Sequence, residues 1–181
     1  MYKPVQFQAS PDAEMLGVVY LGMADNLMAE ESQAILSEYG ITNVVGDQWY
    51  PHQLSLDVAK AIHEGPNGKS ILVAMGRGIG QTAALPEGIN TLEDFFAAVP
   101  YLYQANIRNQ HPDEHFKIEK IDKNRYRFIN NTPSSNQLTY GLVWEFVKRF
   151  GGGKHFVIAP ISGMEHEAVD GAIFEIRIDD E

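Results

Sequence analysis

The chain contains no cysteine, which removes disulfide frameworks, thiolate metal sites and cysteine nucleophiles together. Positive charge is scarce as well: 14 Lys and Arg stand against 24 Asp and Glu, a formal charge of -10. A nucleic-acid surface or a polybasic membrane patch needs clustered cations, so neither partner is expected. No segment approaches the run of about 18 apolar residues that a membrane span requires. The opening Met1-Tyr2-Lys3-Pro4 lacks the basic stretch followed by an apolar one that marks a secretory leader. These absences predict a cytoplasmic chain without membrane insertion, whose partner is neutral, apolar or basic.

What is present fits one domain over residues 1–181, with 44% hydrophobic and 21% charged residues. Residues 1–13 read as an extended polar arm. Met15 to Tyr39 reads as helical with a break near Gly22 to Asp25, and Gly40 follows it in the position favoured after a helix. Ser55 to His63 reads as a second helical piece. Lys69 to Thr82 is either a buried helix or a strand with a glycine turn. Asn90 or Thr91 caps a helix predicted to reach about Asn109, with Glu93 and Asp94 in its first turn. His115–Ile121 and Arg125–Asn130 then alternate as strands around Asp122-Lys123-Asn124, a hairpin signal. A helix follows to about Phe150, and His155–Pro160 and Ala172–Ile178 read as two further strands. The order predicts an α+β fold: a helical N-terminal half packed on a four-stranded antiparallel sheet, with one helix inserted between the strand pairs.

Several local patterns invite chemistry and then fail in detail. Gly76 and Gly78 fit a dinucleotide glycine pattern, but Gln81 stands at its third glycine. His111 and His115 are four apart, yet Pro112 and the coming strand deny them a common helical face. Glu165-His166-Glu167 falls in a polar loop, and His52 and His63 stand alone. Ile161-Ser162-Gly163 lacks the pattern of a nucleophile elbow. No metal site and no catalytic set is assigned.

The helical faces carry more. At about 100° per residue, Leu92, Phe95, Phe96, Val99, Leu102, Tyr103 and Ile107 share one arc, which points Tyr103 inward. Pro100 removes a hydrogen bond within that helix and is predicted to bend it, opening space beside it. In the later helix, Leu138, Leu142, Phe146 and Phe150 form a stripe, and Tyr140 and Trp144 widen it beyond one packed face. That width predicts either burial on two sides or an interface, here a homodimer through Tyr140 and Trp144.

The order of elements and a set of short motifs resemble the heme nitric oxide/oxygen binding (H-NOX) domains and the related 4-vinyl reductase type ligand-binding domains. Met15-Leu16-Gly17-Val18-Val19 resembles the opening helix, Glu31-Ser32-Gln33-Ala34-Ile35-Leu36 the second, Leu72-Val73-Ala74-Met75-Gly76 the segment before the signature helix, and Asp94-Phe95-Phe96 the start of that helix. The resemblance implies a sensor domain that works with a signalling kinase or cyclase. In heme-binding members the signature helix supplies a histidine to iron, and a Tyr-x-Ser-x-Arg motif holds the propionates. Here Tyr103 stands at or near the histidine position, and Asn130-Asn131-Thr132-Pro133-Ser134-Ser135 has neither the tyrosine nor the arginine. The zinc-associated cysteines of the vinyl reductase relatives are missing too. The expectation is a non-enzymatic sensor with no assigned cofactor, heme being disfavoured. It would hold an apolar or aromatic small molecule among Tyr103, Phe96, Val99, Met75, Ile79 and Leu142. The alternatives are a dimerisation module with a filled core and a gas sensor whose heme iron takes a ligand other than histidine.

Overall fold

The computed structural model describes residues 2–24, 37–38, 40–164 and 171–179. The expected helix around Glu31–Leu36 and the Glu165-His166-Glu167 loop lie outside them. The strands are β1 (Glu14–Leu16), β2 (Trp49–Pro51), β3 (Ile107–Arg108), β4 (His115–Asp122), β5 (Arg125–Asn131), β6 (Phe156–Ser162) and β7 (Ile173–Ile178). The helices are α1 (Gly17–Ala24), α2 (His52–Glu64), α3 (Gly68–Thr82), α4 (Leu92–Asn106) and α5 (Asn136–Phe150). The fold is α+β, as the alternation between the two periodicities predicts.

The larger sheet is antiparallel throughout, in the order β4-β5-β7-β6. Its strands are two-faced: Tyr126, Phe128, Phe174 and Ile176 are buried on the helix side, while the other side carries ion pairs such as Arg127–Glu119 at 3.1 Å. Phe95, Phe96 and Val99 of α4 and Val143, Phe146 and Val147 of α5 close the same core. Side chains of this size contribute roughly 1.5–3 kcal/mol each when fully buried, so this layer dominates the fold's stability.

α4 begins where its capping chemistry places it. The Thr91 side chain accepts from the Asp94 N–H at 3.1 Å, and Asp94 accepts from the Thr91 N–H at 3.0 Å. The hydrogen bond with Thr91 holds the Asp94 carboxyl below its ordinary pKa. α-Helix continues on both sides of Pro100, then stops at Asn106 rather than Asn109 because the chain turns extended at Ile107 to join β3.

One expectation is corrected. Met15 does not open a helix: Glu14–Leu16 is a strand paired with both β2 and β3, in the order β2-β1-β3. Three residues carry too little pattern to announce a strand whose partners lie far away in sequence. The N-terminal arm is anchored by hydrogen bonds. Phe7 N–H donates to the Pro133 carbonyl at 2.8 Å, and the Gln53 side chain exchanges hydrogen bonds with Ala9 N–H and Phe7 O, each at 2.9 Å.

The ambiguous segment Lys69–Thr82 is helical, and its glycines serve packing. α3 and α5 form the most extensive helix pair among the described residues, because Gly76 lies against the Leu138 carbonyl and Gly141 against the Val73 carbonyl, with no room for a Cβ on either. α5 is thereby covered on two sides, by α3 and by the sheet, which accounts for its wide apolar arc. Gly141→Val should therefore destabilise the fold by about 3 kcal/mol, at the upper end for overpacking, since backbone rather than a flexible side chain blocks the new methyls. Urea unfolding measures the loss.

Candidate functional site

A cavity of about 460 Å³ lies between the helices and the larger sheet. α4 lines it with Phe95, Val99, Leu102 and Tyr103, α1 supplies Val18 and Met23, and α5 supplies Leu138, Thr139 and Leu142. None of the described lining residues is Asp, Glu, Lys, Arg or His.

Of the six residues expected around a ligand, Tyr103, Val99, Ile79 and Leu142 line this cavity. Phe96 does not: it turns to the sheet, its ring 5.0 Å from that of Tyr126. Met75 is also elsewhere, buried in a second cluster with Leu72, Ile62 and Met23. The cavity follows the Phe95, Val99 and Leu102 side of the helix, at spacings of four and three residues. The adjoining Phe96 is equally apolar, so periodicity alone could not say which phenylalanine meets the sheet.

Tyr103 joins the cavity to a buried polar network. Its hydroxyl donates to Glu114 Oε1 at 2.9 Å. Glu114 itself is 1% exposed. Its Oε2 accepts from Ser10 Oγ at 2.8 Å and from the Tyr2 hydroxyl at 3.1 Å. Tyr2 also stacks on His111, with ring centroids 3.8 Å apart. Burial, reinforced by the Glu114 carboxylate, pushes the Tyr103 pKa well above that of an ordinary phenol. Sequence reading missed Glu114, because one acidic residue before a strand has no distinguishing pattern.

The segment Asn130–Ser135 is a second buried polar knot. Asn130 Nδ2 donates to Asn136 Oδ1 at 2.8 Å, and Asn130 Oδ1 accepts from the Thr132 hydroxyl at 2.6 Å. Asn136 Nδ2 donates to the Gly163 carbonyl at 2.7 Å, and Ser135 caps α5 by accepting from the Leu138 N–H at 3.3 Å. These amides are engaged with one another and with backbone.

The two residues expected at an interface are half-buried within the chain. Trp144 lies under the Arg77 guanidinium, 3.9 Å from the ring centroid, and edge-on to Phe156. Tyr140 stands edge-on to Phe174 and donates to the Ile158 carbonyl at 3.4 Å. Among the described residues no group of three or more His, Asp or Glu side chains is placed to hold a metal ion, and no helix is long and apolar enough to cross a membrane.

The comparisons with known proteins agree with this architecture. No family model matches the sequence, and no curated protein is similar to it. Solved structures do match. An H-NOX protein from S. oneidensis in the Fe(II)NO ligation state aligns with a TM-score of 0.66 at 13% identity, covering 92% of this chain and 100% of that one. A mutant of the S. oneidensis protein in the Fe(II) state gives 0.66 at 12%, covering 92% and 97%. A variant of Tt H-NOX gives 0.66 at 13%, covering 92% and 96%. The chain has the H-NOX fold, with a sequence far diverged from those proteins.

Two outcomes test the polar interior. Glu114→Ala should cost about 3 kcal/mol, since it strands the buried Tyr103 hydroxyl and two further donors. Hydrogen exchange should then speed up across residues 2–13, whereas Glu114→Gln, which keeps an acceptor, should lose less. His52 is 0% exposed with both ring nitrogens unpartnered, and burial lowers its pKa from 6.5 to about 4. The folded chain refuses a proton that the unfolded chain accepts below pH 6.5, so stability should fall as the pH drops from 6.5 and finish falling near pH 4. The total is about 3 kcal/mol. Denaturant midpoints across that range measure it, and His52→Phe should flatten the profile.

Proposed function

We infer that this chain is a single non-enzymatic domain that binds a small apolar or aromatic molecule and serves as a sensor or regulatory module. The observation that carries the reading is the cavity of about 460 Å³ beside Tyr103, whose described lining residues are uncharged, within the size range usual for small-molecule sites. A void of this size weighs against a dimerisation module with a filled core. Sensing would act through the elements around the cavity, with a signalling protein as the downstream partner.

The fold raises heme directly, since its structural neighbours include H-NOX proteins in Fe(II) and Fe(II)NO states. The residues here do not fit that group. Propionates call for cations, and the described lining residues supply none. The segment where the resemblance puts a propionate motif is spent on the Asn130–Asn136 knot. Tyrosinate ligation needs a phenol that ionises readily, whereas Tyr103 donates its proton to a carboxylate and has a raised pKa.

The test is to denature protein purified from its native host and identify the released small molecules by mass spectrometry. The expected result is one apolar compound near equimolar amount. If none is released, and no compound in a broad apolar library raises the melting temperature, the reading fails.

A further inference from the structure

We propose that the cavity selects an uncharged, largely hydrocarbon molecule bearing a hydroxyl group, a long-chain or cyclic alcohol rather than a carboxylic acid. The proposal rests on the ligand-binding reading and adds the ligand's chemistry to it.

Six hydroxyl side chains line the described part of the cavity, and four of them, Tyr103, Ser55, Ser135 and Thr82, give their protons to the protein, while Ser134 and Thr139 keep theirs available. Tyr103 donates to Glu114 at 2.9 Å. Ser55 Oγ donates to the His52 carbonyl at 2.8 Å, and Ser135 Oγ to Gln137 Oε1 at 3.2 Å. Thr82, nearer the outside, donates to the Gly78 carbonyl at 3.2 Å. All four side chains line the cavity. With their protons directed elsewhere, these groups offer the interior oxygen lone pairs. A ligand that brings a donor is matched by such a site. A carboxylate brings only acceptors and a charge, and it meets no cation among the described lining residues, while the chain's formal charge of -10 opposes it at longer range. A bare hydrocarbon would fill the space but leave the oxygens unpaired.

The experiment is equilibrium dialysis of the full chain at pH 8 against dodecan-1-ol and, separately, dodecanoate, both below the concentrations at which they aggregate. The same measurement is made on Val99→Trp and Ala83→Trp, which fill the cavity from a helix and from a loop. The expected result is dodecanol binding at least tenfold tighter than dodecanoate, lost in whichever filled variant retains the native circular dichroism spectrum. Dodecanoate binding as tightly as the alcohol would overturn the selectivity and leave the ligand-binding reading standing. Binding unchanged in a folded, filled variant would place the alcohol outside the cavity and overturn the proposal. Failure of both probes to bind folded wild-type protein would overturn the proposal and count against the broader reading.

Discussion

A carboxylate in a protein interior is tolerated only when hydrogen bonds replace its lost water, and Glu114 meets that demand with three hydroxyls from separate parts of the chain. Two come from the N-terminal arm and one from α4, so satisfying one residue fixes both. The arm is drawn across the entrance to β4, and Tyr103 is held with its ring at the cavity and its proton turned away. Position and chemistry of the site therefore descend from one buried acid. The same constraint explains why an arm with little apolar content is ordered at all: its polar side chains serve as solvation for the interior.

The remainder of the cavity is shaped by packing. Gly76 and Gly141 bring α3 and α5 together at backbone distance, and α5 is pressed between α3 and the sheet. α4 divides its apolar face, giving Phe96 to the sheet and Phe95 and Val99 to the cavity. What results is the H-NOX arrangement of elements around a largely apolar space. The glycines and large apolar residues account for the fold, and a fold does not by itself fix what its cavity holds.

Legibility followed the same division. The capping box at Thr91 and Asp94, the hairpin around Asp122-Lys123-Asn124 and the period change after Pro112 are local signals, and they located α4, β4 and β5 within a few residues. β1, β2 and β3 were invisible, because strands of two or three residues are specified by partners distant in sequence. Tyr103 could be placed inward from helical spacing, whereas Glu114 could not be matched to it, since a hydrogen bond between residues on different elements leaves no periodic trace. Phe96 and Met75 were assigned to the cavity because an apolar side chain buried against a sheet and one lining a void look alike in sequence. The breadth of the α5 stripe pointed equally to a dimer and to two-sided burial, and α3 supplies the second side.

The central proposal is that the cavity of this H-NOX fold, with no cation among its described lining residues, does not hold heme. Titrating the purified chain with hemin and recording the visible spectrum tests it most directly. The account predicts a broad, non-saturating spectrum like that of free hemin. A sharp Soret band saturating at one equivalent, and abolished by Tyr103→Phe, would contradict it.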